Sequence, residues 1–338
     1  MSPRNNHSGV GVLNTAKNED ISVPSLNLFA PEDVDSSIKE FRNQIYYPIS
    51  ALNSEGPFEF RLTTAQDEFL HTPFLRLGGG FRIIRQDGTY LQNVDDVSVV
   101  NLAPDSLWKS IVFEIENIKI EDTSHNYAYK AYFEKLLSQS SGAKSSHLRN
   151  DFFYADSYSA MNANDKNGGN SGYVTRSEFI KNSKILYFNS TLALDICGIS
   201  KPLPPHLEYR VKLTRNSDEF TLLSTSQNFK IELVELYMEV LKLVPNENRL
   251  AQIERKFSSS SLNYPISRSK ILKFSIPQGV YDASQHALFD RGQLPRFVLI
   301  ALSAQNGVSG RVELNPFNFK HYNINEVCLT KNNVPVCY

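Results

Sequence analysis

Phe229-Lys230-Ile231-Glu232-Leu233-Val234-Glu235-Leu236-Tyr237-Met238-Glu239-Val240 is the stretch whose pattern decides the fold. Phe229, Ile231 and Leu233 alternate with Lys230 and Glu232, the period of two that marks a strand with one buried face. Leu236, Met238 and Val240 carry the alternation on in the opposite phase. Such a shift predicts a β-bulge, or burial on both faces.

The same texture extends outward in both directions. Upstream, Phe58, Phe60 and Leu62 alternate with Glu59 and Arg61, and β-type runs recur at 81–84, 111–115, 184–194, 207–213 and 220–223. Downstream, strands are expected at Ile271–Ile276 and Phe297–Leu302. Asp87-Gly88 predicts a tight turn, because Gly tolerates positive φ. One helix is clear: Tyr129, Tyr132, Phe133, Leu136 and Leu137 recur at i, i+3, i+4, i+7 and i+8 on one face. A second, short helix is expected over 246–257. Residues 160–172, nearly all Asn, Gly, Asp and Ser, predict a long exposed loop. The first 55 residues read as a mobile N-terminal arm, residues 56–225 as a first β-sandwich, and residues 226–338 as a second, partial one, with the polar stretch Ser224–Asn228 as the break. An all-β sandwich or jelly roll with one or two short helices follows.

Composition excludes several classes of function. The 338 residues are 41% hydrophobic and 21% charged, with 16 Tyr and 21 Phe, which is too apolar and aromatic for a disordered chain. Lys plus Arg number 35 and Asp plus Glu 36, so no overall field draws the chain onto nucleic acid or an anionic membrane. No apolar run reaches the length of a membrane helix, and residues 1–30 lack a signal-peptide pattern, so synthesis in the cytoplasm is expected. Three cysteines, Cys197, Cys328 and Cys337, form a sparse, odd set expected to remain free thiols.

No motif for chemistry stands out. Gly78-Gly79-Gly80 is not followed by Gly-Lys-Ser/Thr and runs into a strand, so a turn or bulge is the better reading. Asp165 to Asn170 resembles part of a calcium loop, but the twelfth position is Arg176 rather than Glu. The histidines are scattered, and no Cys-x-x-Cys or Gly-x-Ser-x-Gly is present. Catalytic, cofactor and metal residues are therefore expected to be none.

More specific words occur in the sequence. Asn315-Pro316-Phe317-Asn318-Phe319-Lys320-His321-Tyr322-Asn323, preceded by Gly292-Gln293-Leu294-Pro295-Arg296, resembles the hallmark of the major capsid proteins of Polinton-type elements and adintovirus-like DNA viruses, including their invertebrate genomic copies. Further blocks resemble that family in the same order, among them Tyr47-Pro48-Ile49-Ser50, Asn126-Tyr127-Ala128-Tyr129, Leu213-Thr214-Arg215-Asn216, Tyr264-Pro265-Ile266-Ser267-Arg268 and Phe274-Ser275-Ile276-Pro277. The resemblance implies a double jelly roll, three copies of which form a capsomer tiling an icosahedral virion, assembled in cytoplasm or nucleus. It implies self-association as a homotrimer and a penton or minor capsid protein as further partner, with no strong nucleic-acid binding. Family members continue past the Phe-Asn-Phe-Lys-His-Tyr block, so the second sandwich is expected to be cut short. For the block itself a structural or assembly role is expected, with Asn315 and Pro316 setting a turn and Phe317, Phe319 and Tyr322 acting as anchors. The competing reading is a virus-derived jelly-roll protein that recognises glycans or proteins through its loops.

Overall fold

Strand-type sequence becomes sheet only where a neighbour completes its backbone hydrogen bonds. The computed structural model describes residues 37–52, 56–257, 259–284, 295–331 and 334–335. Ten strands precede residue 246: β1 Ile38–Tyr46, β2 Phe58–Leu62, β3 Phe69–Arg85, β4 Val97–Val99, β5 Trp108–Ile115, β6 Ile118–Asp122, β7 Leu186–Thr191, β8 Tyr209–Arg215, β9 Leu222–Ser224 and β10 Phe229–Pro245. The helices are α1 Ala103–Ser106, α2 Tyr127–Ser138, α3 Ser141–Ser145, α4 Ser171–Ile180, α5 Asp218–Thr221, α6 Glu247–Phe257 and α7 Gln305–Val308.

Eight strands form two antiparallel sheets, in the orders β1-β10-β3-β7 and β2-β8-β5-β6, while β4 and β9 pair separately. Following the chain through these eight, each step crosses to the other sheet except β5 to β6, which are hairpin neighbours. That wrapped path through two facing sheets is a jelly roll. Its core takes Phe58, Phe60 and Leu62 from β2, Val211 and Leu213 from β8, and Ile111 and Phe113 from β5. Against them stand Leu77, Phe81 and Ile83 of β3, Phe188 of β7, and the alternating apolar set of β10. The protein is thus all-β with short helices in its connections.

The phase shift that opened the sequence reading has a simple geometry. The β10–β3 register slips between Leu233 and Glu235, and the extra residue lets Phe229, Ile231 and Leu233 face the same core as Leu236, Met238 and Val240. Gly78-Gly79-Gly80 is not a turn; it lies inside β3, between β10 and β7. A Cβ on Gly78 would lie 2.3 Å from the Tyr237 ring, and one on Gly79 2.5 Å from the Glu235 carbonyl oxygen. Close approach of strand and ring is what requires glycine here.

The sandwich also has different limits from those the sequence suggests. It runs from Ile38 to Pro245 rather than over 56–225, because β10 is hydrogen-bonded on both sides, to β1 and to β3. Residues 38–46, within the stretch read as an arm, form its edge strand β1, and Ser224–Asn228 is the connection between β9 and β10 rather than a break between sandwiches. Residues 1–36 of that arm lie outside the described residues, as do Gly292, Gln293, Leu294 and Cys337; Cys197 and Cys328 are free.

After α6 the expected strands Ile271–Ile276 and Phe297–Leu302 are irregular and form no ladder with a neighbour among the described residues. Among the described residues of 259–335, strand pairing consists of β11 (Thr330–Lys331) with β12 (Val334–Pro335) and a bridge from Ser303 to Phe319. An alternating sequence with no sheet edge to join stays irregular. No helix among the described residues is long and apolar enough to cross a membrane.

Candidate assembly site around helix α2

Helix α2 has two working faces. Tyr127 and Ala131 turn into the jelly-roll core, and Tyr129 and Tyr132 belong to a second apolar cluster with Phe133 and Leu136 packed against it. The apolar stripe read from the sequence is this second face, and what it meets is the Asn315–Asn323 block.

Phe317 is only 1% exposed. Its ring stacks on Tyr132 with centroids 4.3 Å apart and planes 3° from parallel, and Tyr129 and Phe220 approach it edge-on at 5.6 and 6.0 Å. Phe319 lies 5.0 Å from Phe133. Offset and edge-on contacts match the negative face of one ring to the positive edge of another, adding to the burial of large apolar area. Lys273 places its ammonium 4.2 Å over the face of Tyr129, and burial holds its pKa below the ordinary lysine value, aided by repulsion from Lys109. Burial pushes the Tyr132 phenol up to about 12, with Asp156 adding to the push, so the stacked ring stays neutral.

Asn315 fixes the turn that delivers Phe317. Its side-chain oxygen accepts from the Phe317 N–H at 3.0 Å, and its carbonyl accepts from the Asn318 N–H at 3.1 Å. Its own N–H donates to Asn162 Oδ1 at 3.2 Å, and its Nδ2 donates to Asp156 Oδ2 at 3.3 Å. Asp156 is in turn held by Arg176, a fully buried guanidinium that donates to Asp156 Oδ1 at 2.5 Å and to the Val99 carbonyl at 2.7 Å. Further anchorage comes from Val312, whose carbonyl accepts from the Ser224 N–H at the end of β9.

The block therefore divides. Asn315, Pro316, Phe317 and Asn318 are buried, Phe319 is half-buried, and Lys320, His321, Tyr322 and Asn323 are exposed. Tyr322, expected to anchor, is 54% exposed, has no aromatic partner among the described residues, and sits with Asn323 at positive φ. Lys320 and His321 join Phe133, Leu136, Val298, Ile300 and Ile324 around an open apolar groove of about 600 Å³. Leu299 and Val327 of the same lining are exposed, as is Phe297 at 71%, next in sequence to Val298; Phe274 is exposed as well.

Sequence reading missed the residues that hold the block in place. Asn162 and Asn170 lie in the stretch read as an exposed loop, yet Asn170 is buried, caps α4 by accepting from the Gly172 and Tyr173 N–H groups, and donates to Asp156. The placement of Asn at the N-cap position directly before Ser171 was the available signal. Nothing in the sequence marks Arg176 as buried.

No family model matches the chain. Over 294 residues it is 25% identical to the uncharacterized protein F54H12.2 of Caenorhabditis elegans, covering 82% of this chain and 66% of that protein. Among solved structures it is similar to a chain of the Sputnik virophage (TM-score 0.48, 12% identity, 69% of this chain and 54% of that one). It is also similar to the Faustovirus major capsid protein (TM-score 0.40, 8% identity, 68% and 58%) and to the mavirus major capsid protein (TM-score 0.36, 11% identity, 71% and 53%). The chain thus spans about two thirds of its curated relative and a little over half of each of these solved chains.

Proposed function

We propose that this protein is a structural subunit of a virus-type capsid, acting by self-association rather than by chemistry. The observation that carries the reading is the surface around the docked block: an apolar groove with exposed Leu299 and Val327 in its lining, and the exposed Phe297 one residue before its lining residue Val298. Large apolar side chains gathered beside a groove are characteristic of surfaces that bury against another protein. The eight-stranded jelly roll supplies a rigid body, and the ordered blocks that resemble Polinton-type capsid proteins supply the kind of assembly, a homotrimeric capsomer within an icosahedral virion. In this reading residues 259–335 belong to a second jelly-roll module, and Asn315–Phe319 is the clamp that ties that module to the first. A penton or minor capsid protein would be met at the capsomer's margins.

Sedimentation of the purified chain over a range of concentrations, with imaging of the larger species, tests the proposal. Trimer-sized and larger particles are expected. A strict monomer at high concentration that binds a glycan array would replace it with the loop-recognition reading.

A further inference from the structure

A second buried cluster, on the other face of α2, has no part in that reading. Lys135 Nζ lies 2.6 Å from Asp105 Oδ2 in α1 and 2.8 Å from Asp151 Oδ2 in the 3-10 turn His147–Asp151, and donates to Ser190 Oγ of β7 at 2.7 Å. All three charged residues are less than a tenth exposed. The other carboxylate oxygen, Asp105 Oδ1, faces two hydroxyl donors, Tyr127 at 3.3 Å and Ser190 at 3.5 Å. One amine, two carboxyls and two donors therefore converge in a site closed to water.

We propose that Lys135 and Asp105 condense into an intramolecular isopeptide bond, with Asp151 as the base and Tyr127 and Ser190 stabilising the oxygen that gains charge. The two oxygens of Asp105 are already sorted for it. Oδ2 is the leaving atom, on the side of the amine; Oδ1 is the retained carbonyl, on the side of the hydroxyls. Burial pushes the Asp105 carboxyl up more than Lys135 pulls it down, and Asp151 adds to the push, which favours the neutral acid that an amine can attack. Burial alone would lower the Lys135 pKa, but Asp105 and Asp151 outweigh it and hold it above the ordinary lysine value, so the amine is freed only by handing its proton to a carboxylate within the cluster. Burial likewise pushes the Tyr127 phenol well above its ordinary value, so it remains a donor.

The step balances without a co-reactant. Asp151 takes a proton from the Lys135 ammonium, and the freed electron pair forms the bond from Nζ to Asp105 Cγ. The Cγ–Oδ2 bond breaks, and Oδ2 departs as water with its own proton and one from the amine. The remaining displaced proton stays on Asp151. Exclusion of solvent then protects the amide from hydrolysis.

A neighbouring cluster shows why this lysine is singled out. Lys130 also bridges two carboxyls, Glu121 at 2.7 Å and Asp195 at 2.6 Å. Both Glu121 oxygens, however, accept backbone N–H groups, from Asp195 at 2.8 Å and Ile196 at 2.9 Å, which hold both in place so that neither is sorted as a leaving atom. Among the described residues the Asp105 carboxyl accepts no backbone N–H; its donors are Lys135, Tyr127 and Ser190.

The test is the intact mass of the purified, denatured full chain. The expected mass is one water below that of the sequence, and tryptic digestion should yield a branched peptide joining the Asp105 and Lys135 segments. Full sequence mass with cleavage after Lys135 would overturn the proposal, and this holds whatever the variants do. Asp151→Asn should restore the full mass, whereas Lys130→Met should keep the deficit. Were the deficit to vanish in Lys130→Met and persist in Lys135→Met, the bond would lie in the other cluster and the proposal would fail.

Discussion

Phe317 concentrates the stability of the clamp in one side chain. It is fully buried among the rings of Tyr129, Tyr132 and Phe220, so Phe317→Ala removes both transfer free energy and packing that the neighbours cannot recover, about 3–5 kcal/mol. The expected outcome is protease cleavage appearing between residues 296 and 323, together with a lower urea midpoint; cleavage unchanged from wild type would show the block to be loosely held. A finer contrast comes from the glycines of β3. Gly79→Ala meets the backbone oxygen of Glu235, which the sheet fixes, whereas Gly78→Ala meets the outer end of the Tyr237 ring, which can rotate away. Gly79→Ala should cost about 1–3 kcal/mol and Gly78→Ala distinctly less, a ranking that urea denaturation of the two variants reads directly.

Among the elements, β1 depends on one buried acid. Glu68 receives Lys242 of β10 at 2.7 Å and Arg42 of β1 at 3.2 Å, and its carboxylate also accepts the Ala65 N–H at 3.0 Å. Burial alone would raise its pKa, but Lys242, the Ala65 N–H and Arg42 outweigh burial and hold it below the ordinary glutamate value. A carboxyl depressed in the folded state contributes stability above its unfolded pKa and loses it as pH falls through the folded one. Glu68→Gln leaves Lys242 buried without its counter-charge, so it should destabilise by about 3 kcal/mol at neutral pH. That deficit should shrink as the pH drops below the ordinary glutamate range, and a pH-independent gap between the two proteins would refute the assignment. Much of the element level was legible beforehand. The phase shift at Leu233 to Leu236 foretold the bulge, and the stripe from Tyr129 to Leu137 foretold the face that receives Phe317. The partners of a strand were not legible, because alternation records burial of a side chain and not which neighbour completes the backbone. That is why β10 was assigned to a second sandwich, and why Ile271–Ile276 and Phe297–Leu302 were expected in sheets. Lys130 and Lys135 escaped notice for a related reason. A lysine enters a core only with carboxylates brought from distant positions, here Asp105, Asp151, Glu121 and Asp195.

At the scale of the molecule, a closed jelly roll of residues 38–245 carries a following segment that is clamped at Asn315–Phe319 and whose described residues include exposed Phe274, Phe297, Leu299 and Val327. Such a surface is stable in water only when covered, and a self-associating subunit covers it with its own copies. Phe274 and Phe297 are half or more exposed and make no aromatic contact among the described residues, so replacing both by Asp should leave the fold intact while abolishing association. The decisive measurement is sedimentation velocity of the wild-type and Phe274→Asp/Phe297→Asp chains across a range of concentrations. The account predicts trimers and larger assemblies for the wild type and monomers for the variant. A wild-type chain that stays monomeric at every concentration would contradict it.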